Sequence, residues 1–131
     1  MDANIKTIED VYAAFARGDV PFILDRLTDD ARFENSDSPE MPHHGVYTGK
    51  DGVATFFGNI AGAFEVTSFD PSAYLAFGDE VVAFGAWSCV ARATGKPFTA
   101  QWAMRFCLRH GKVAFAHVYE DTAVTAAALR K

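Results

Sequence analysis

Apolar side chains near the start of the chain recur three or four positions apart, at Ile5, Ile8, Tyr12 and Phe15. This spacing places them on one face of a helix. Gly18 follows at the point where a helix of this length would end. The pattern therefore predicts a first amphipathic helix that packs against a core through the face that includes Tyr12.

Two further helices are predicted from the next sixty residues. Asp19 can cap a short second helix, whose first turn tolerates Pro21. Thr48 and Asp51 have the spacing of a capping box, with Asp in the place of the usual Glu. The apolar positions that follow fit one face of a third helix: Val53, Phe56, Phe57 and Ile60.

The remaining apolar positions alternate with polar ones, as in half-buried strands. A strand is predicted at 31–35, with Phe33 and Asn35 on one face. After residue 63, turns at 78–79, 95–97 and 110–111 separate long antiparallel strands. Helices first and strands later predict an α+β fold, in which three N-terminal helices cover one face of a curved antiparallel sheet.

The last predicted strand has one face with an uneven character. Its residues are Val113, Phe115, His117, Tyr119 and Asp121. The face is apolar at its start and ends in three groups that ionise or form hydrogen bonds. We expect it to line a cavity that is apolar at its base and polar near its mouth.

Composition bounds the class of protein. The 131 residues suit a single domain, 1–131, with a formal net charge of −5 from 12 basic and 17 acidic side chains. Scattered basic residues argue against a nucleic-acid partner, and no apolar run approaches the length of a membrane span. The first ten residues do not resemble a secretory signal.

Cys89 and Cys107 lack a CxxC spacing, so free thiols in a reducing cytoplasm are expected, with a disulfide as the alternative.

Three stretches carry a family resemblance: "YAAFARGD", "YTGKDGVATFF" and "GKVAFAHVYEDT", in that order. Their order and spacing resemble the SnoaL-like proteins of the nuclear transport factor 2-like superfamily, which also holds ketosteroid isomerases and limonene-epoxide-type hydrolases. The resemblance implies a cone-shaped α+β barrel with a pocket between the helices and the concave sheet. It also implies a homodimer through the convex sheet face, a small hydrophobic ligand and no cofactor.

The resemblance further implies a catalytic group on the last strand. The polyketide-cyclase branch places an Asp near the end of the sheet, and Asp121 best matches that position. Asp121 would then transfer a proton at carbon, in an aldol-type cyclisation or an isomerisation. His117, with Tyr119 or Tyr12, would orient the substrate and stabilise enolate charge. In the alternative interpretation, Asp121 only caps a short helix that follows the strand.

The chain departs from the ketosteroid isomerase pattern of an Asp base with a Tyr and a protonated Asp. Tyr12 falls near the tyrosine, but Asn35 falls near the base and Trp102 near the second acid. Neither replacement accepts a proton usefully. One alternative is a non-catalytic ligand-binding or dimerisation domain. Another is an epoxide hydrolase, which is less favoured because the strand of Trp102 carries no carboxylate.

The other candidate residues concern binding. An apolar pocket wall is expected from Phe33, Phe56, Phe57, Trp102 and Phe115, with polar ligand contacts from Asn35 and Tyr119. His43 and His44 are adjacent, so their side chains diverge on extended backbone, and no metal site is predicted. The proline- and glycine-rich loop around them is expected to form a lid at the pocket mouth. Met41 and one of the two histidines would face inward.

Overall fold

The computed structural model describes residues 2–35 and 38–131. In chain order its elements are α1 (Ala3–Ala16), α2 (Val20–Asp25), β1 (Leu27–Asn35), β2 (Gly45–Thr48), α3 (Gly49–Ala63), β3 (Phe64–Phe77), β4 (Glu80–Ala91), β5 (Pro97–Arg109), β6 (Lys112–Glu120) and α4 (Thr122–Leu129). The predicted α+β class and the three N-terminal helices are confirmed. The short strand β2 adds to the predicted architecture, and α4 is the short helix expected in the alternative interpretation of Asp121.

The six strands form one curved, unclosed sheet in the order β2-β1-β6-β5-β4-β3. The strands from β3 to β6 make the predicted antiparallel meander. The strand β1 joins this meander by pairing parallel to β6, and β2 extends it on the other side of β1. The sheet is therefore mixed, and the end of β1 lies beside the end of β6.

Local capping explains where the helices begin. Asp2 accepts backbone N–H bonds from Asn4 and Ile5, and Asp19 accepts one from Phe22 at 3.1 Å. Thr48 occupies the N-cap of α3 but its side chain makes no capping bond, so the predicted capping box does not form. The helix α3 therefore begins without a side-chain cap. Packing of its apolar face against the core stabilises it instead.

The core lies between the helices and the concave face of the sheet. Its largest fully buried side chains include Phe33, Phe64 and Phe106. The opposite, convex face carries exposed apolar side chains such as Leu75, Phe77 and Phe84. Within residues 2–35 and 38–131, no helix combines the length and the apolar character needed to span a bilayer.

A β-bulge at the start of β6 reverses the predicted facing of that strand. Leu108 pairs with Val113, whereas Cys107 pairs with Phe115, so Ala114 is an extra residue on β6. One extra residue moves every later side chain to the other face. Beyond the bulge, the inward side chains are Ala116, Val118 and Glu120. The prediction that the face from Phe115 to Asp121 looks into the cavity is wrong.

Candidate functional site

A cavity of about 60 Å³ lies between the helices and the concave face of the sheet. Aromatic and aliphatic side chains make most of its wall: Val11, Tyr12, Phe15, Phe33, Phe56, Phe57, Ile60, Phe69, Trp87, Trp102, Met104, Phe106 and Val118. The two remaining lining residues, His43 and Glu120, carry ionisable groups. An apolar pocket with a few polar groups converging at one place is typical of a small-molecule site.

Glu120 and His43 are in contact inside this apolar surrounding. Their side chains are 3% and 1% exposed, and His43 Nε2 lies 2.8 Å from Glu120 Oε1. The Asn35 amide donates a hydrogen bond to the same oxygen at 3.2 Å. Neither imidazole nitrogen has an aligned hydrogen-bond partner in the described part of the chain. The short His43–Glu120 distance is therefore a close polar contact rather than a well-directed hydrogen bond.

Strand register positions the carboxylate. Glu120 lies opposite Trp102 in the antiparallel pairing of β6 with β5, so the two side chains are neighbours on the concave face. Asn35 is the last residue of β1, which runs parallel to β6. The two strand ends therefore bring Asn35 and Glu120 together, although 85 residues separate them in the chain.

Two successive turns in the loop that precedes β2 position the imidazole. The Met41 N–H donates to the Ser38 carbonyl and the His44 N–H donates to the Met41 carbonyl, each at 3.0 Å. Met41 and His43 are buried and His44 is exposed. The prediction that Met41 and one histidine face inward is confirmed, and that histidine is His43.

The same loop is attached to the rest of the fold on two sides. The Tyr47 hydroxyl donates to the His44 carbonyl at 2.7 Å, and Asn59 of α3 donates to the Tyr47 hydroxyl at 3.2 Å. On the other side, Arg130 after α4 contacts both carboxylate oxygens of Glu40 at 2.9 and 3.0 Å. These contacts connect the backbone on either side of His43 to α3 and to the residue that follows α4.

Besides the His43 imidazole, three hydrogen-bond donors in the cavity wall lack a partner among residues 2–35 and 38–131. They are the Tyr12 hydroxyl and the indole N–H groups of Trp87 and Trp102. Burial, with a smaller contribution from Tyr74, raises the pKa of Tyr12 well above its ordinary value, so the hydroxyl keeps its proton. Each unmade hydrogen bond costs about 1–3 kcal/mol. A ligand that brings acceptor oxygens into the cavity would recover part of that free energy.

A buried thiol also lies in the electrostatic field of the carboxylate. Burial, and then the negative charge of Glu120, raise the pKa of Cys89 to about 12. Cys89 is a free thiol, as is Cys107, so the alternative of a disulfide is wrong. Because only the thiolate is a good nucleophile, Cys89 is not equipped for covalent catalysis near neutral pH.

The comparison with protein families identifies the chain. The model of the SnoaL-like domain matches residues 8–116, which is most of the sequence. The chain belongs to the SnoaL-like domain family. No curated protein sequence is detectably similar to it.

Solved structures share the whole fold at low sequence identity. An NTF2-like protein of unknown function from Burkholderia pseudomallei is 23% identical with a TM-score of 0.91, over 100% of both chains. TerC, co-crystallised with polyporic acid, is 22% identical with a TM-score of 0.88, over 99% of this chain and 100% of its own. A protein from Mesorhizobium loti, proposed to be a SnoaL-like polyketide cyclase, is 17% identical with a TM-score of 0.72, over 88% and 97%. At these identities the similarity establishes the fold alone.

The SnoaL-like chain places most of the predicted binding residues around the cavity. Those that line it are Tyr12, Phe33, His43, Phe56, Phe57 and Trp102. Asn35 is fully buried behind this lining and donates a hydrogen bond to Glu120, which does line the cavity. Their placement on the inner face is as predicted, and ligand binding by them stays a prediction.

Three predicted residues of β6 lie on the convex face instead, because of the bulge at Ala114. His117 Nδ1 is 3.3 Å from Glu34 Oε2. The ring of His117 stacks on Tyr119 with centroids 4.4 Å apart, and the Arg105 guanidinium lies 5.8 Å from the Phe115 ring centroid. These side chains do not reach the cavity of the SnoaL-like fold, so the predicted inward placement of Phe115, His117 and Tyr119 is wrong.

Asp121 and His44 are exposed and also lie outside the cavity. Asp121 is the N-cap of α4 and accepts the Val124 N–H at 3.3 Å. The alternative interpretation of Asp121, a cap for a helix after the last strand, is therefore confirmed. In the described stretches, no three His, Cys, Asp or Glu side chains are grouped as a metal site requires.

Sequence reasoning missed Glu120, the one carboxylate that the described residues contribute to the cavity wall. A signal for it exists in the alternate set of β6 positions, where Ala116 and Val118 lead to Glu120. The larger side chains of the other face, Phe115 and Tyr119, made that face look like the buried one.

Proposed function

We propose that this SnoaL-like protein transfers a proton at carbon on a small hydrophobic, carbonyl-bearing ligand, with Glu120 rather than Asp121 as the general acid/base. The observation that supports this proposal best is a carboxylate only 3% exposed in an aromatic cavity. Burying a carboxylate is costly, and neither of its neighbours, Asn35 and His43, is a permanent cation. Such an arrangement is typical of an acid/base group at a functional site.

The reaction balances within the ligand and Glu120. The carboxylate removes a proton from the carbon next to a carbonyl, and the electron pair of that C–H bond moves to the carbonyl oxygen as an enolate. In an isomerisation, Glu120 returns the proton to another carbon. In an aldol cyclisation, the enolate carbon attacks a second carbonyl of the same molecule, and the proton goes to the new alkoxide. Glu120 ends each cycle unchanged.

The unpartnered donors of the cavity suit the charge that develops. The Tyr12 hydroxyl and the Trp102 indole N–H can each donate to an enolate oxygen, and neither has a competing partner among the described residues. Donors that are already in place stabilise such charge without reorganisation. Asn35 and His43 both contact Oε1 of Glu120, which orients the carboxylate toward the ligand space.

The aromatic wall favours a ligand that contains a ring. Phe69 and Trp102 are stacked with an interplanar angle of 5° and centroids 5.1 Å apart, which leaves flat surfaces on either side. TerC, a protein of the same fold, has been co-crystallised with polyporic acid. A fold relative is also proposed to be a polyketide cyclase. Both descriptions are compatible with a ring-bearing ligand here.

The second candidate is a non-catalytic ligand-binding domain of the same family. The contacts of Asn35 and His43 with Glu120 favour it, since they provide a polar network that could be structural. Such a network would connect the loop of His43 to β6 without taking part in chemistry. The two candidates differ in whether protons move when a ligand occupies the cavity.

We expect the protein to accelerate exchange of the α-protons of 2-tetralone in D2O, measured by proton NMR. Binding is followed separately by intrinsic fluorescence, because the chain has two tryptophans and both line the cavity. A fluorescence change without exchange would favour the binding domain. If neither exchange nor a fluorescence change is observed, both candidates are contradicted for ketones of this kind.

We also propose a homodimer through the convex face of the sheet, as the family resemblance implies. Phe84 lies in the middle of that face, 40% exposed, and pairs with Ala103 on the neighbouring strand. We expect Phe84→Glu to convert a dimer to a monomer in multi-angle light scattering, since it buries a charge in an apolar interface. Val124→Glu is the control, because Val124 is similarly exposed but lies on α4. A dimer that survives Phe84→Glu would contradict this arrangement.

A further inference from the structure

A second concavity adjoins the cavity on its outer side. This groove, of about 340 Å³, lies between α1 and β3 and is lined by Glu9, Tyr12, Ala13, Ala16, Phe69, Pro71 and Tyr74. Tyr12 and Phe69 also line the inner cavity. The groove and the cavity therefore have a common wall, made by one side chain from α1 and one from β3.

That wall is a single layer of aromatic rings. The Tyr12 and Phe69 rings meet edge to face with centroids 5.2 Å apart, and Tyr12 also contacts Trp102 at 5.3 Å. The Tyr12 hydroxyl is buried and has no hydrogen-bond partner among the described residues. A polar group left unpaired in the wall between two hollow spaces is a candidate ligand contact.

The strand that carries Phe69 pairs irregularly with its neighbour. The register of β3 against β4 shifts between Val66 and Ser68 and again between Pro71 and Ala73, so Phe69 lies between two irregularities. The strand β3 is also at the edge of the sheet, with only β4 beside it. Bulges near sites re-aim side chains. The regular ladder between β3 and β4 is therefore interrupted on both sides of Phe69.

The outer end of the groove has its own polarity. Among the residues that the structure describes, Glu9 is the one charged side chain in the groove lining, and it takes part in no ion pair. Burial, and then the charge of Glu9, raise the pKa of Tyr74, which faces the same groove. An ionised carboxylate only accepts hydrogen bonds. The group that Glu9 would recognise is therefore a donor.

We propose that the groove is the outer half of the ligand site and that the ligand is elongated. Its carbonyl-bearing end lies in the cavity at Glu120, and its outer end presents a hydroxyl or ammonium group to Glu9. Phe69 moves away from Tyr12 to let it pass, and Tyr12 keeps its place. The inner position rests on the proposed function, whereas the groove position rests on its own geometry. The cavity of about 60 Å³ is far below the size usual for ligand pockets, and the groove supplies the missing space.

Filling the groove tests the outer position directly. The probes are biphenyl-4-ol, which is long enough for both spaces, and phenol, which is short. We expect Ala13→Leu to weaken biphenyl-4-ol binding about tenfold or more in calorimetry and tryptophan fluorescence, and to leave phenol within about twofold. Ala61→Leu, the same change on the exposed side of α3, is the control. Unchanged binding of biphenyl-4-ol to Ala13→Leu, or no binding to the unaltered protein, would overturn the proposal.

The polar end is tested by a second variant. We expect Glu9→Gln to weaken binding of 4-phenylbenzylamine most, biphenyl-4-ol less, and 4-methylbiphenyl not at all. Losses for the two polar probes without a loss for 4-methylbiphenyl would show that Glu9 recognises a hydrogen-bond donor. Equal losses for all three probes would overturn a role for Glu9 in recognition.

These results are independent of the chemistry. If ketone exchange is absent while Ala13→Leu still weakens biphenyl-4-ol, the proton-transfer function fails and the two-part site stands. If exchange is present and depends on Glu120 while Ala13→Leu has no effect on the long probe, the function stands and the outer half of the site fails.

Discussion

Replacing Glu120 with Gln is expected to slow proton transfer at carbon by about 10²- to 10⁴-fold, the usual contribution of a positioned acid or base. Gln has the shape of Glu and keeps an oxygen that can accept the Asn35 bond, but it cannot take up the α-proton. The rate of 2-tetralone exchange by NMR measures this loss. Ligand binding, followed by tryptophan fluorescence, should remain.

The fold should survive this change. Removing one member of a buried polar contact is harmful when it leaves a charge unpaired, and Glu120→Gln removes the charge itself. Asp121→Asn is the matched control, since Asn caps helices as well as Asp does and Asp121 is outside the cavity. We expect its exchange rate and its urea midpoint to match those of the unaltered protein. If Glu120→Gln keeps full activity, the carboxylate has a structural role and is not the acid/base group.

The elements that follow local spacing could be predicted from the sequence. Tyr12 lies on the buried face of α1, and Phe56 and Phe57 lie on that of α3, because a period of 3.6 residues fixes which side chains face the sheet. Trp102 is buried on the concave face for the corresponding reason in a strand. The adjacency of His43 and His44 likewise predicted that only one of them faces inward.

The facing of β6 could not be predicted from alternation. A single unpaired residue, Ala114, changes which of two neighbouring positions is inward, and nothing in its type marks a bulge. This one residue moved the candidate acid from Asp121 to Glu120. The error is large because strand periodicity is 2, so a shift of one position exchanges the two faces completely.

The polar cluster itself depends on pairings between distant parts of the chain. Asn35 reaches Glu120 because β1 runs parallel to β6, a contact that sequence spacing cannot show. His43 reaches the same oxygen because two turns direct it inward. The groove similarly depends on the packing of α1 against β3. Such features follow from tertiary structure and not from local pattern.

Gly85→Ala is expected to disturb the cavity wall more than alanine at any other glycine of the chain. A Cβ at position 85 would lie 2.5 Å from both Trp102 Cζ2 and the Asp70 carbonyl oxygen, and 2.9 Å from Pro71 Cα. Two of these three atoms belong to backbone, so the strand β3 as well as the indole must shift. Overpacking of this kind costs about 1–3 kcal/mol of the free energy of unfolding.

The loss is measured by urea unfolding, and the shift of Trp102 by the tryptophan emission spectrum. Gly58→Ala is the control, since Gly58 lies within α3 with nothing near its would-be Cβ. Alanine there should stabilise the protein by about 0.5–1 kcal/mol because glycine is a poor helix former. If the stability and the spectrum of Gly85→Ala are unchanged, β3 can shift without a loss in the free energy of unfolding. Since Phe69 stacks on Trp102 and lies on β3, that outcome would also show how easily the wall between groove and cavity moves.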